Sequence, residues 1–83
     1  MKKKEVVIQF QPQGEVSAAA LIVQKASDFR SQIYISQGTR RVNGKSIMGM
    51  MTMPFVLGEK LTITAEGPDE AEAIEGLEAF LTK

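Results

Sequence analysis

The sequence predicts an α+β open sandwich: four strands in one mostly antiparallel sheet, three helices on one face, in the order β-α-β-β-α-β-α. Three observations predict it. The segments around Gln32 to Ser36 and Lys60 to Ala65 alternate apolar and polar residues with the two-residue period of a strand. Val16 to Phe29, and the stripe Ile74, Leu77 and Leu81, repeat at helical spacing instead. The chain has 83 residues, below the usual size for two cores, so 1–83 is expected to be one domain in which helices and sheet share a single core.

Each element has its own local reason. Val6-Val7-Ile8-Gln9-Phe10 is β-branched and aromatic and reads as the first strand, ended by the breaker cluster Pro12-Gln13-Gly14. The first helix presents Val16, Ala19, Ala20, Val23, Ala26 and Phe29, widened by Leu21 and Ile22; it is Ala-rich and has no internal Gly or Pro. In the second strand Ile33 and Ile35 face one side and Tyr34 the other. Gln37-Gly38 is a tight turn in which Gly38 takes a positive φ at little cost, and Arg40 to Asn43 returns as the third strand. Lys45-Ser46-Ile47-Met48 opens a short helix of about two turns, stopped by Pro54. A helix that short must bury one side, so some of Met48, Met50, Met51 and Met53 are expected in the core. Lys60 to Ala65 is the fourth strand. Gly67-Pro68-Asp69-Glu70 starts the last helix, with Asp69 as cap and Glu72 at capping-box spacing; Ala73 and Phe80 join its buried stripe.

Composition excludes several kinds of chemistry. The chain has no His and no Cys, which removes classical zinc sites, haem attachment, thiol chemistry, Ser-His and Cys-His catalysis and any phosphohistidine. No cofactor and no metal are expected. The 10 basic and 10 acidic groups cancel, yet residues 1–45 carry +5 and residues 46–83 carry −5. The basic runs, Lys2-Lys3-Lys4 and Arg40-Arg41, are short and free of interleaved aromatics, so they read as a solvated N-terminus and a solvated strand end, and no nucleic-acid partner is expected. The acidic run Glu66, Asp69, Glu70, Glu72, Glu75 and Glu78 reads as a solvated helix face. No apolar stretch reaches membrane-spanning length or resembles a signal segment, so no membrane partner and a cytoplasmic location are expected.

Three stretches carry a family resemblance. Val42-Asn43-Gly44-Lys45-Ser46-Ile47-Met48-Gly49 resembles the segment around the regulatory serine of HPr, the phosphocarrier protein of the sugar phosphotransferase system. Gly67-Pro68-Asp69-Glu70-Ala71-Glu72-Ala73 is similar to that family's third-helix opening, and Ile22-Val23-Gln24-Lys25-Ala26-Ser27-Asp28-Phe29 to its first helix. The resemblance covers essentially the whole chain, in the same order of elements, and implies an HPr-like open-faced sandwich. One loop departs from it. The family's active-site motif, Gly-x-His-x-Arg-Pro-Ala, precedes the first helix. An ungapped alignment of that helix puts Glu15 at the His position, Ser17 at the Arg position and Ala18 at the Pro position. The chain is therefore similar in kind to Crh, the His-less catabolite-repression branch of the family. That branch carries Gln for His but keeps the Arg, which this chain lacks.

The resemblance assigns candidate roles. Ser46 would be phosphorylated by an ATP-dependent HPr kinase/phosphorylase; by position alone it is also an ordinary helix N-cap, and the two readings are compatible. Ile47, Met48 and Met51, with Lys45, Ala20 and Gln24, would form the partner-binding face, so the resemblance implies Met48 and Met51 outward and Met50 and Met53 inward. Glu15 stays open between a favourable acidic residue in a first helical turn, a mimic of phosphohistidine, and a phosphoryl acceptor. Ser17 cannot supply the bidentate phosphate binding of the missing Arg, a task left to Arg40, Arg41 or Lys45. The function implied is that of a regulatory, non-enzymatic protein. It would act by binding an HPr kinase/phosphorylase, a catabolite regulator or other phosphotransferase proteins in carbon catabolite control, as a monomer or a strand-exchanged dimer. Two rivals are phosphocarrier transfer through Glu15 and docking as an unmodified decoy.

Overall fold

The computed structural model describes residues 1–9 and 17–82. Four strands, β1 (Lys2–Val7), β2 (Gln32–Gln37), β3 (Arg40–Asn43) and β4 (Lys60–Glu66), alternate with three helices, α1 (Ala18–Ala26), α2 (Ile47–Met51) and α3 (Glu70–Leu81). The strands form one sheet in the order β1-β4-β2-β3. Every neighbouring pair is antiparallel, with Val6 opposite Leu61, Ile35 opposite Ile63 and Ile35 opposite Val42. The expected α+β sandwich is the observed one.

Strand alternation sets which face is covered. Val6, Ile33, Ile35, Leu61, Ile63 and Ala65 point to one side and are buried. They meet Ala19, Ile22 and Ala26 of α1, Met50 of α2, and Ala73, Ile74, Leu77 and Leu81 of α3. The other side carries Lys3, Glu5, Thr62, Tyr34 and Arg41, all exposed or half-buried. The apolar stripes read from the sequence thus supply the core, with Ala20, Leu21, Val23, Phe29 and Phe80 half-buried at its rim.

Several boundaries differ from the sequence reading. The first strand runs from Lys2 to Val7 instead of Val6 to Phe10, and Phe10 lies outside the described residues. The Lys2-Lys3-Lys4 run is solvent-exposed, as expected, and also forms part of the sheet. It pairs with Ala65, Thr64 and Ile63, and Lys4 Nζ reaches Glu78 Oε2 on α3 at 2.8 Å. Backbone pairing needs no apolar side chain, and Lys on an edge strand discourages further pairing. Ile8 is buried beyond the strand and still bonds Glu59 O through its amide, at 2.8 Å.

Helix ends are set by hydroxyls. Ser17 caps α1, its side chain accepting from Ala20 N at 3.1 Å, and Val16 lies outside the described residues. The helix stops at Ala26 and does not run on to Phe29. The Ser27 hydroxyl donates to Val23 O at 2.8 Å, and the Asp28 and Phe29 amides close tighter turns on Lys25 O and Ala26 O. Likewise α2 is little more than one turn. The Thr52 amide and hydroxyl both bond Gly49 O, ending the helix before Pro54. The turn at Gly38 has φ +63, as the tight hairpin requires.

The cap of α3 is the largest correction. Asp69 occupies the N-cap position but makes no side-chain cap bond, and Glu72 forms no capping box with it. Its carboxylate instead accepts from the backbone amides of Arg30 and Ser31, both at 2.9 Å, and from the Ser31 hydroxyl. The start of α3 is thereby tied to the link between α1 and β2. Glu70 bonds back to Gly67 N at 3.3 Å.

Candidate functional site

The link from β3 to α2 is a rigid turn that presents Ser46. Gly44 N donates to Ile33 O at 2.7 Å, and a Cβ at Gly44 would stand 2.8 Å from Ile33 Cγ2, so the chain passes β2 more closely than any side chain allows. Asn43 Oδ1 accepts from Lys45 N at 2.8 Å, and Asn43 O accepts from Ser46 N at 3.1 Å. This Asx turn aims the chain into the helix. Ser46 is then the N-cap: its Oγ accepts from Gly49 N at 3.3 Å and its carbonyl from Met50 N at 2.9 Å. The residue is half-buried.

The short helix divides its methionines as the family resemblance implied. Met50 is fully buried and Met53 is 4% exposed, whereas Met48 and Met51 are 79% and 67% exposed. Ile47 is also exposed, at 41%. Residues 47, 48 and 51 share one side of the helix because positions three and four apart coincide. The result is an apolar patch in solvent beside Ser46. Met51 continues into a groove of about 250 Å³ shared with Ser17, Ala18, Ala19, Met53 and Phe55. Ser17, the residue expected at the family's Arg position, lines this groove beside Met51.

The other candidates are placed less uniformly. Ala20 is half-buried on α1 and Gln24 is exposed. Gln24 lines a different depression, of about 340 Å³, with Leu21, Lys25, Asp28 and Phe80. Lys45 Nζ is held on Phe29 O at 2.6 Å, which pins the end of α1 to the α2 turn and occupies the ammonium. Arg40 donates from Nη1 to Thr52 O at the end of α2, where the helix dipole favours a cation. The Arg41 guanidinium lies 4.1 Å from the Tyr34 ring centre. Each of the three cations nominated to replace the missing Arg therefore has another partner. Glu15 lies outside the described residues. Phe55 was not legible as part of this region, because it follows Pro54 in a segment with no periodicity.

Comparison with known proteins agrees with this layout. The family model described as "PTS HPr component phosphorylation site" matches residues 2–83. The HPr-like protein Crh of Halalkalibacterium halodurans is 41% identical over 83 residues, covering 100% of this chain and 99% of that one. The crystal structure of HPr-C-His from Thermoanaerobacter tengcongensis superposes with a TM-score of 0.86 at 40% identity, covering 98% of this chain and 91% of that one. A crystal structure of Bacillus subtilis Crh, described as a dimer with a swapping domain, gives a TM-score of 0.70 at 38% identity, covering 87% of this chain and 92% of that one. With a matching family model along nearly its whole length and the same order of strands and helices, this chain belongs to the HPr family of the phosphotransferase system.

Proposed function

We propose that this chain is a regulatory HPr-like protein that receives a phosphoryl group on Ser46 and then acts by protein binding in carbon catabolite control. The observation that carries the reading is the placement of Ser46, half-buried at the N-cap of α2, beside an exposed Ile47-Met48-Met51 patch, in a chain with no histidine to phosphorylate. In the reaction, Ser46 Oγ attacks the γ-phosphorus of ATP, the kinase removes the hydroxyl proton, and ADP leaves. The product adds nearly two negative charges beside the first turn of α2, whose amides lack intrahelical acceptors. An apolar patch bordered by that charge suits a partner with an apolar pocket and an adjacent cation. The partners that fit are an HPr kinase/phosphorylase, a catabolite regulator or other phosphotransferase proteins, and the location that fits is the cytoplasm. Among the described residues no helix is long and apolar enough to cross a membrane.

The test is intact-mass analysis after incubation with ATP and an active HPr kinase. One phosphoryl addition is expected, absent in Ser46→Ala. That variant also loses its cap and should be less stable by about 1 kcal/mol, a fall in Tm of roughly 4–8 °C. No addition to the unmodified chain would leave Ser46 as a helix cap only. Met48→Ser and Met51→Ser are expected to weaken docking while changing stability by less than about 0.5 kcal/mol, since both side chains stand in solvent. Equal binding by these variants would move the docking face elsewhere.

Self-association belongs to the same proposal. Strand β1 lies at the sheet edge and pairs with β4 alone, so the same ladder can form between two copies that exchange it. Size-exclusion chromatography across a concentration series separates the monomer from such a dimer.

A further inference from the structure

We infer that Met48 and Met51 form a paired methionine-oxidation site that switches the docking face off. The inference rests on the function proposed above, because it needs α2 to be the docking face. Met48 and Met51 are 79% and 67% exposed on one side of α2, while Met50 and Met53, in the same segment, are 0% and 4% exposed. Peroxide therefore reaches the first pair and not the second. The chemistry is closed with hydrogen peroxide as the oxidant. A lone pair on Met Sδ attacks one peroxide oxygen, the O–O bond breaks, an S–O bond forms and water leaves. Sulfur is oxidised and peroxide oxygen is reduced.

The structural consequence is confined to the patch. A sulfoxide is a strong acceptor, well solvated where Met48 and Met51 stand, so the fold keeps its core. The same group buried under a partner's apolar surface loses its water and finds no donor, which opposes docking. Two such groups, at positions three apart, sit on the one face that docking uses. Methionine sulfoxide reductases, which restore each sulfoxide epimer, make the modification reversible.

The experiment uses the intact chain treated with limiting hydrogen peroxide. Fragmentation of the tryptic peptide 46–60 should place one oxygen on Met48 and one on Met51, with Met50 and Met53 unmodified and the thermal melt unchanged. Met1, 70% exposed, is expected to oxidise as well and lies in a separate peptide. The initial rate of Ser46 phosphorylation by an HPr kinase, at subsaturating protein, should fall at least about tenfold and return after sulfoxide reductase treatment. A Met48→Leu/Met51→Leu double variant should show no further change on peroxide treatment, whatever its own starting rate. Oxidation of Met50 and Met53 as fast as their neighbours would overturn the inference, as would a peroxide effect that persists in the double variant. An untreated chain that is phosphorylated no faster than the oxidised one would overturn the inference alone. An untreated chain that takes no phosphate would remove the proposed function and this inference with it.

Discussion

Gly67→Ala is expected to destabilise the protein by about 2–4 kcal/mol, combining backbone strain with overpacking, and so to lower Tm by roughly 10–20 °C. Gly67 has φ +152, a conformation side chains rarely adopt, and a Cβ there would stand 2.7 Å from Ser31 Cα and 2.8 Å from Ser31 Oγ. The nearer contact is backbone, so no rotamer change relieves it. The displaced residue, Ser31, is also the one that Asp69 grips, so the clash and the hydrogen-bond network fail together. Gly38→Ala provides the comparison. Its φ of +63 imposes strain, but nothing lies within 4 Å of the added Cβ. It should cost about 1 kcal/mol, and equal losses in the two variants would contradict the crowding argument. Thermal melts by circular dichroism decide between them.

Asp69→Asn is expected to lower Tm by roughly 5–10 °C at neutral pH and to remove part of the acid limb of the stability curve. Asp69 Oδ1 accepts from the Ser31 amide and hydroxyl, and Oδ2 from the Arg30 amide. An amide nitrogen in place of either oxygen would face a donor with a donor. The Ser31 hydroxyl, and then the Arg30 amide, hold the carboxyl of Asp69 below its usual value of 3.8, against the opposing effect of burial. A depressed native value means stability that is fully present above the unfolded value and lost as pH falls through the native one. The difference between parent and variant should therefore be constant above about pH 5 and should close below the ordinary value of 3.8. A difference that stays constant into strong acid would show that the charge contributes nothing. This contact also joins the α1–β2 link to α3, so hydrogen exchange at Arg30 and Ser31 should rise in the variant.

Much of the fold was legible because local signals agreed with the global one. Alternation in β2 and β4 named the covered face, and Gly38 named the hairpin. Helical spacing paired Met50 with Met53 and Met48 with Met51, but which pair faces inward came from the family resemblance. Beyond the helix ends, which local hydroxyls set, most failures come from tertiary partners. Asp69 looked like a cap because capping is local, whereas its partners Arg30 and Ser31 lie 39 and 38 residues away. Lys2 to Lys4 are solvated as read, but their pairing with β4 leaves no mark in the side-chain pattern and so was missed. The cations Arg40, Arg41 and Lys45 looked available, and their engagement by Thr52, Tyr34 and Phe29 is set by tertiary placement. Glu15, which the sequence resemblance aligns with the family's His, lies outside the described residues, so its placement and role rest on the sequence alone.

The central claim is that this chain is a substrate of a serine kinase and not a phosphoryl carrier. The most direct measurement follows two labelled phosphoryl donors in parallel: ATP with an HPr kinase, and phosphoenolpyruvate with the general phosphotransferase enzyme. The account predicts one acid-stable label from ATP, located on Ser46 and absent in Ser46→Ala, and no label from phosphoenolpyruvate. A labile label from phosphoenolpyruvate that disappears in Glu15→Gln, with none from ATP, would contradict it and make the chain a carrier working through a carboxylate.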